Sequence, residues 1–146
     1  IINDPEAVPK YDRCLLWTLD SGAALHVTYR KELFTELHEA EPELRELYSF
    51  TNHAAKVEGK GTVFVAELNA LISDVYYVPG ATSNLLSQSQ LSRISDFQVF
   101  HFKQTSYVVK NGDIIAETLL IGGIYYLKPK SEHVSITPKQ NDTGTE

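Results

Sequence analysis

Asn111-Gly112, set between Tyr107-Val108-Val109-Lys110 and Asp113-Ile114-Ile115-Ala116, is the feature that most narrows what this chain can fold into. Both residues tolerate the positive φ that a two-residue hairpin loop requires, so the flanking runs are predicted to pair antiparallel. Runs of the same kind, short and rich in β-branched and aromatic residues, recur at 61–66, 71–78, 97–102 and 124–127, with Gly, Asn and Pro between them. Further strands are expected at 14–20 and around Leu25-His26-Val27-Thr28. Residues 31–48, rich in Glu and Leu with Leu33, Phe34 and Leu37 at three- and four-residue spacing, predict a helix that Pro42 breaks into two pieces. One or two helical turns are expected within 84–91. Many short strands and little helix predict a small all-β sandwich or barrel built from antiparallel strands.

The length of 146 residues suits one domain that buries a core without metals or disulfides. Residues 1–13, polar and carrying Pro5 and Pro9, read as an arm or linker, 14–128 as the folded domain and 129–146 as a flexible polar tail. Cys14 is the sole cysteine, so no internal disulfide can form, and it reads as a small core residue suited to a reducing, intracellular setting. The formal net charge is −6, with Lys and Arg scattered, which argues against direct nucleic-acid binding. The absence of an apolar stretch of spanning length and of a signal segment predicts no membrane partner and a soluble chain. A start at Ile1 and the lack of Met suggest a piece of a longer protein. His26, His38, His53, His101 and His133 are too widely spaced for a zinc site, and no Gly-rich loop carries a Lys-Ser or Lys-Thr pair, so neither metal nor nucleotide is expected.

Chemistry concentrates in Leu16-Trp17-Thr18-Leu19-Asp20-Ser21-Gly22-Ala23. A carboxylate at a strand end, followed by a hydroxyl and a glycine that lets the backbone fold back, can be held rigidly by hydrogen bonds. It reads as half of an aspartic protease site. Asp142-Thr143-Gly144 spells the other common form of the motif, but no apolar strand leads into it, so it is a poor second half. Asp74 reads as a strand-end residue, and Asp96 and Asp113 as turn residues.

An ordered set of segments resembles the protease region of copia-type LTR retrotransposon polyproteins. It comprises Trp17-x-Leu19-Asp20-Ser21-Gly22-Ala23, His26-Val27-Thr28, Gly59-x-Gly61-Thr62-Val63, Asp74-Val75-Tyr76-Tyr77-Val78-Pro79-Gly80, Asn84-Leu85-Leu86-Ser87-x-x-x-Leu91 and Gly123-x-Tyr125-Tyr126-Leu127. The resemblance spans about residues 15 to 127. It implies a small closed retropepsin-like β-barrel with one or two short helices, acting as a homodimer in which each subunit gives one catalytic Asp. Asp20 would be that residue, with Ser21, Gly22 and Ala23 supporting the turn. Asn84, Leu85, Leu86 and Ser87 would pass beneath it, and a substrate flap would lie within 52–62, with its tip at Gly59 and Gly61. Ser87 stands where retropepsins generally carry Gly, as is common in copia-type sequences.

Ala24, where Ser is usual, and Leu25 depart from the pattern and weaken the expected hold on substrate main chain. His26 fits the pattern but, alone, reads as structural. The implied activity is endoproteolysis of a Gag-Pol polyprotein by two carboxylates sharing one proton. The implied partners are a second copy of the chain and a peptide or polyprotein substrate, with no cofactor, in the cytoplasm or within virus-like particles. The alternative is a degenerate relative that keeps the barrel as a binding or assembly module without protease activity.

Overall fold

The computed structural model describes residues 15–41, 56–93 and 96–130. The strands are β1 (Trp17–Asp20), β2 (His26–Thr28), β3 (Phe34–Glu39), β4 (Gly59–Val65), β5 (Ala70–Tyr77), β6 (Asn84–Ser87), β7 (Phe97–Phe102), β8 (Thr105–Lys110), β9 (Asp113–Ile121) and β10 (Ile124–Leu127). Among the described residues, a 3-10 turn covers Lys31–Leu33 and a short helix, α1, covers Gln88–Arg93.

The hairpins lie where local chemistry places them. Asn111 and Gly112 have φ of 54° and 84° and join β8 to β9, with Lys110 facing Asp113. Gly122 and Gly123, at 59° and 82°, make a second such loop between β9 and β10. Two consecutive positive φ values match the right-handed twist of the flanking strands.

The expected helix across 31–48 is not formed in its described part: after the 3-10 turn, Phe34–Glu39 is strand β3, paired antiparallel with β4. Pairing with β4 satisfies the backbone of this segment and outweighs a helix preference of only tenths of a kcal/mol per residue. Residues 42–50 lie outside the described part. The segment 84–91 is likewise strand before it is helix, with α1 beginning only at Gln88.

Among the described residues the sheet has ten strands in the order β3-β4-β5-β2-β6-β1-β10-β9-β8-β7, and it is not uniformly antiparallel. β6 inserts between β1 and β2, parallel to the first and antiparallel to the second, and β2 is parallel to β5. Nor is the sheet a closed barrel, because among the described residues no ladder joins β3 to β7. The reason lies in β9, which pairs with β10 over Thr118–Ile121 and with β8 over Asp113–Glu117. Two halves of one strand serve different neighbours, so β7 and β8 extend the sheet instead of returning to β3.

The sheet still curls enough for Phe97 and Val108 to join Trp17, Val63, Ile72, Leu86, Leu91 and Leu127 in the main core. β4 alternates inward Val63 and Val65 with outward Phe64, the period of a half-buried strand. Each fully buried aliphatic chain contributes about 1.5–3 kcal/mol. Asp74 lies within β5, not at its end, at φ 60° and close to the register shift at Gly61/Val63 on β4, as a bulge residue.

Candidate active site

β1 stops at Asp20 because the chain folds back on the carboxylate: the Gly22 N–H donates to Asp20 Oδ1 at 2.8 Å. Asp20 is half-buried, while Ser21 and Gly22 are exposed. A Cβ on Gly22 would sit 3.5 Å from Asp20 Oδ1, an ordinary contact, so nothing among the described residues requires a glycine there.

The turn is clamped from below by β6. Ser87 stands in register with Asp20 across the parallel β1–β6 ladder. Its Oγ donates to the Ala23 carbonyl at 2.7 Å and accepts the Gln90 N–H at 3.1 Å, while the Gln90 side-chain amide donates to the Ala24 carbonyl at 3.2 Å. One hydroxyl thus starts α1 as a cap and ties down the Asp-Ser-Gly-Ala loop. At the other end of β6, the fully buried Asn84 accepts the Thr28 hydroxyl at 2.5 Å. Leu86 fills the core and Leu85 faces the cleft.

That cleft, about 380 Å³, is walled by Asp20, Ser21, Leu85, Ile124 and Tyr125 among others, and among the described residues Asp20 is its sole carboxylate. Ile124 is exposed at its edge. The structure therefore brings together Asp20, Ser21, Gly22, Ala23 and the Asn84–Ser87 strand.

Gly59 and Gly61 are not at a hairpin tip. Gly59 opens β4 and Gly61 lies within it, and both are paired with β3 on one side and β5 on the other. A Cβ on Gly61 would collide with the Glu36 carbonyl, and one on Gly59 would lie 2.9 Å from the His38 carbonyl, so close strand approach accounts for both glycines. The rest of the expected flap, 52–55, lies outside the described residues, as do Cys14 and Asp142.

Sequence reasoning missed the partner of His26. The ring is buried, and its Nδ1 accepts the Ser87 N–H at 3.0 Å, a contact between residues 61 positions apart that no local pattern signals. Burial lowers its pKa to about 4, against the opposing pull of the Asp74 carboxylate. Among the described residues no cluster of three or more His, Cys, Asp or Glu could hold a metal, and no helix is long and apolar enough to cross a membrane.

A family model described as Pol polyprotein, beta-barrel domain, matches residues 17–95, which run from the first residue of β1 past α1 and include the Asp20 turn and its β6 clamp. No curated protein and no solved structure matches the chain.

Proposed function

The chain belongs to the family of Pol polyprotein beta-barrel domains, and on that footing we propose that it is the aspartic endopeptidase of a copia-type retrotransposon Gag-Pol polyprotein. The observation that carries the reading is the held Asp20: a half-buried carboxylate at a strand end, gripped by the Gly22 N–H and set on a loop that Ser87 ties to the core. A solvated turn aspartate needs no such clamp.

Two carboxylates about 3 Å apart cannot both ionise, so one stays protonated. The ionised one takes a proton from water as that water attacks the peptide carbonyl, and the protonated one donates to the carbonyl oxygen. Among the described residues one chain offers one carboxylate to the cleft, so the second is Asp20 of a second copy, related by a two-fold axis. Ser21 and Gly22, exposed beside Asp20, lie where that copy would approach. Gly22, which nothing described in its own chain requires to be glycine, fits a close approach by another backbone. The substrate is an extended peptide laid along the cleft, with β3 and β4 as the base of the covering flap. The polyprotein would be met in the cytoplasm or inside virus-like particles.

Cleavage of a Gag-Pol polyprotein by the wild-type chain and by Asp20→Asn tests the reading, with a pepstatin-like inhibitor as a second probe. Cleavage by the wild type alone, blocked by the inhibitor, is expected; equal cleavage by both sinks it. The exposed Ala24 methyl, which offers no hydrogen bond to substrate, favours a second reading as a binding or assembly module. In that case the wild type binds polyprotein without cutting it.

A further inference from the structure

We propose that His26 is a positioning residue: its Nδ1, by accepting the Ser87 amide, holds the junction of β6 and α1 that orients the Asp20 turn. The inference rests on the reading of Asp20 as the catalytic carboxylate, and its geometry can be tested separately from that reading.

The argument begins with a cost. The His26 ring is 1% exposed, and its Nε2 has no hydrogen-bond partner among the described residues. A neutral imidazole that accepts at Nδ1 carries its proton on Nε2, so the ring buries an orphan N–H. Burying a donor without a partner forfeits the hydrogen bond it makes to water in the unfolded chain, a penalty that a leucine would avoid. A residue kept only to fill this space would be apolar. What distinguishes histidine here is the acceptor at Nδ1.

That acceptor extends a ladder that the backbone cannot. β2 and β6 share one register pair, Val27 with Leu85, and continuing the antiparallel register would set Ser87 against Leu25. The chain at Leu25 has already left the sheet for the Asp-Ser-Gly turn, and the imidazole receives the Ser87 N–H in place of a strand carbonyl. Ser87 is then held at its amide by His26, at its hydroxyl by the Ala23 carbonyl, and by register opposite Asp20. The loop from Asp20 to His26 closes on itself through this one serine.

Only a neutral ring can do this, since a protonated Nδ1 would point a hydrogen at the Ser87 N–H. Asp74 on β5 is the charged group that favours protonation, and the group on β6 that meets the ring is the neutral Ser87 amide. Burial prevails over Asp74, and the acceptor persists.

The test compares wild type, His26→Asn, whose Oδ1 can take the place of Nδ1 as acceptor, and His26→Leu, with Asp20→Asn as the control for the catalytic reading. For His26→Leu the expected result is a fall in kcat of roughly 10- to 100-fold with KM little changed, because a misplaced catalytic group costs rate more than binding. His26→Asn should recover most of it. Amide hydrogen exchange at Ser87 and Gly22 should quicken in the Leu variant and not in the Asn variant. Equal kcat in the Leu and Asn variants, or unchanged exchange at Gly22 in the Leu variant, overturns the proposal. In the unmutated protein, imidazole 15N shifts at neutral pH should report the Nε2–H tautomer with an accepting Nδ1; an Nδ1–H tautomer overturns it without any variant having to fold. If Asp20→Asn cleaves as well as wild type, the catalytic reading fails, and the exchange and tautomer results still decide whether His26 holds the turn.

Discussion

Asp20 and Ser87 face each other across the parallel pairing of β1 with β6, and the Ser87 hydroxyl bonds the carbonyl of Ala23, three residues beyond the carboxylate. A core strand and the Asp-Ser-Gly-Ala turn are thereby joined through one side chain. The position of Asp20 depends on how β6 is inserted, not on the turn alone.

Removing that hydroxyl should loosen the turn and uncap α1 together. Ser87→Ala deletes the acceptor for the Gln90 N–H and the donor to Ala23. A loss of about 1–2 kcal/mol in unfolding free energy is expected, measurable by urea denaturation. If stability is unchanged, the clamp contributes nothing.

The glycines separate into two kinds. Gly61→Ala drives a methyl into the Glu36 carbonyl where β3 meets β4, so the domain should be destabilised by about 1–3 kcal/mol or more, through overpacking and backbone shift. Gly22→Ala meets only an ordinary contact and should leave thermal stability nearly unchanged while abolishing cleavage, if a second copy approaches there. Comparison of melting temperature with cleavage for both variants checks the pair.

Stability should fall in acid through His26. The free imidazole titrates near 6.5 and the folded one near 4, so between these values the unfolded chain binds more protons than the native one. The contribution is complete above about pH 6.5 and is lost as pH drops towards 4, about 3 kcal/mol in all from a shift of this size. His26→Asn should remove that component from the pH profile of denaturation midpoints; an identical profile in both proteins contradicts it.

Thr28→Val strips the hydroxyl that reaches the buried Asn84. The expected cost is about 1–3 kcal/mol, because a buried amide oxygen loses this donor. Thr28→Ser, which keeps the hydroxyl, should cost clearly less in the same denaturation assay.

Local chemistry was legible in the residues. Asn111-Gly112 and Gly122-Gly123 lie in hairpin loops because positive φ is a property of the residues themselves, and Asp20-Ser21-Gly22 makes its turn with a bond spanning two positions. The run 61–66 marked a strand for the same reason: the preference of its β-branched and aromatic residues for a pleated backbone is written along the chain. Tertiary structure decided what involves distant partners. Phe34–Glu39 has the composition of a helix and became a strand because β4 offered it a ladder. Whether the sheet closed depended on how β9 divided its pairing between β8 and β10, and the role of His26 on an amide 61 positions away. Turns and periodicities are short-range steric facts, whereas strand order and buried acceptors arise only when chain segments compete for the same backbone groups.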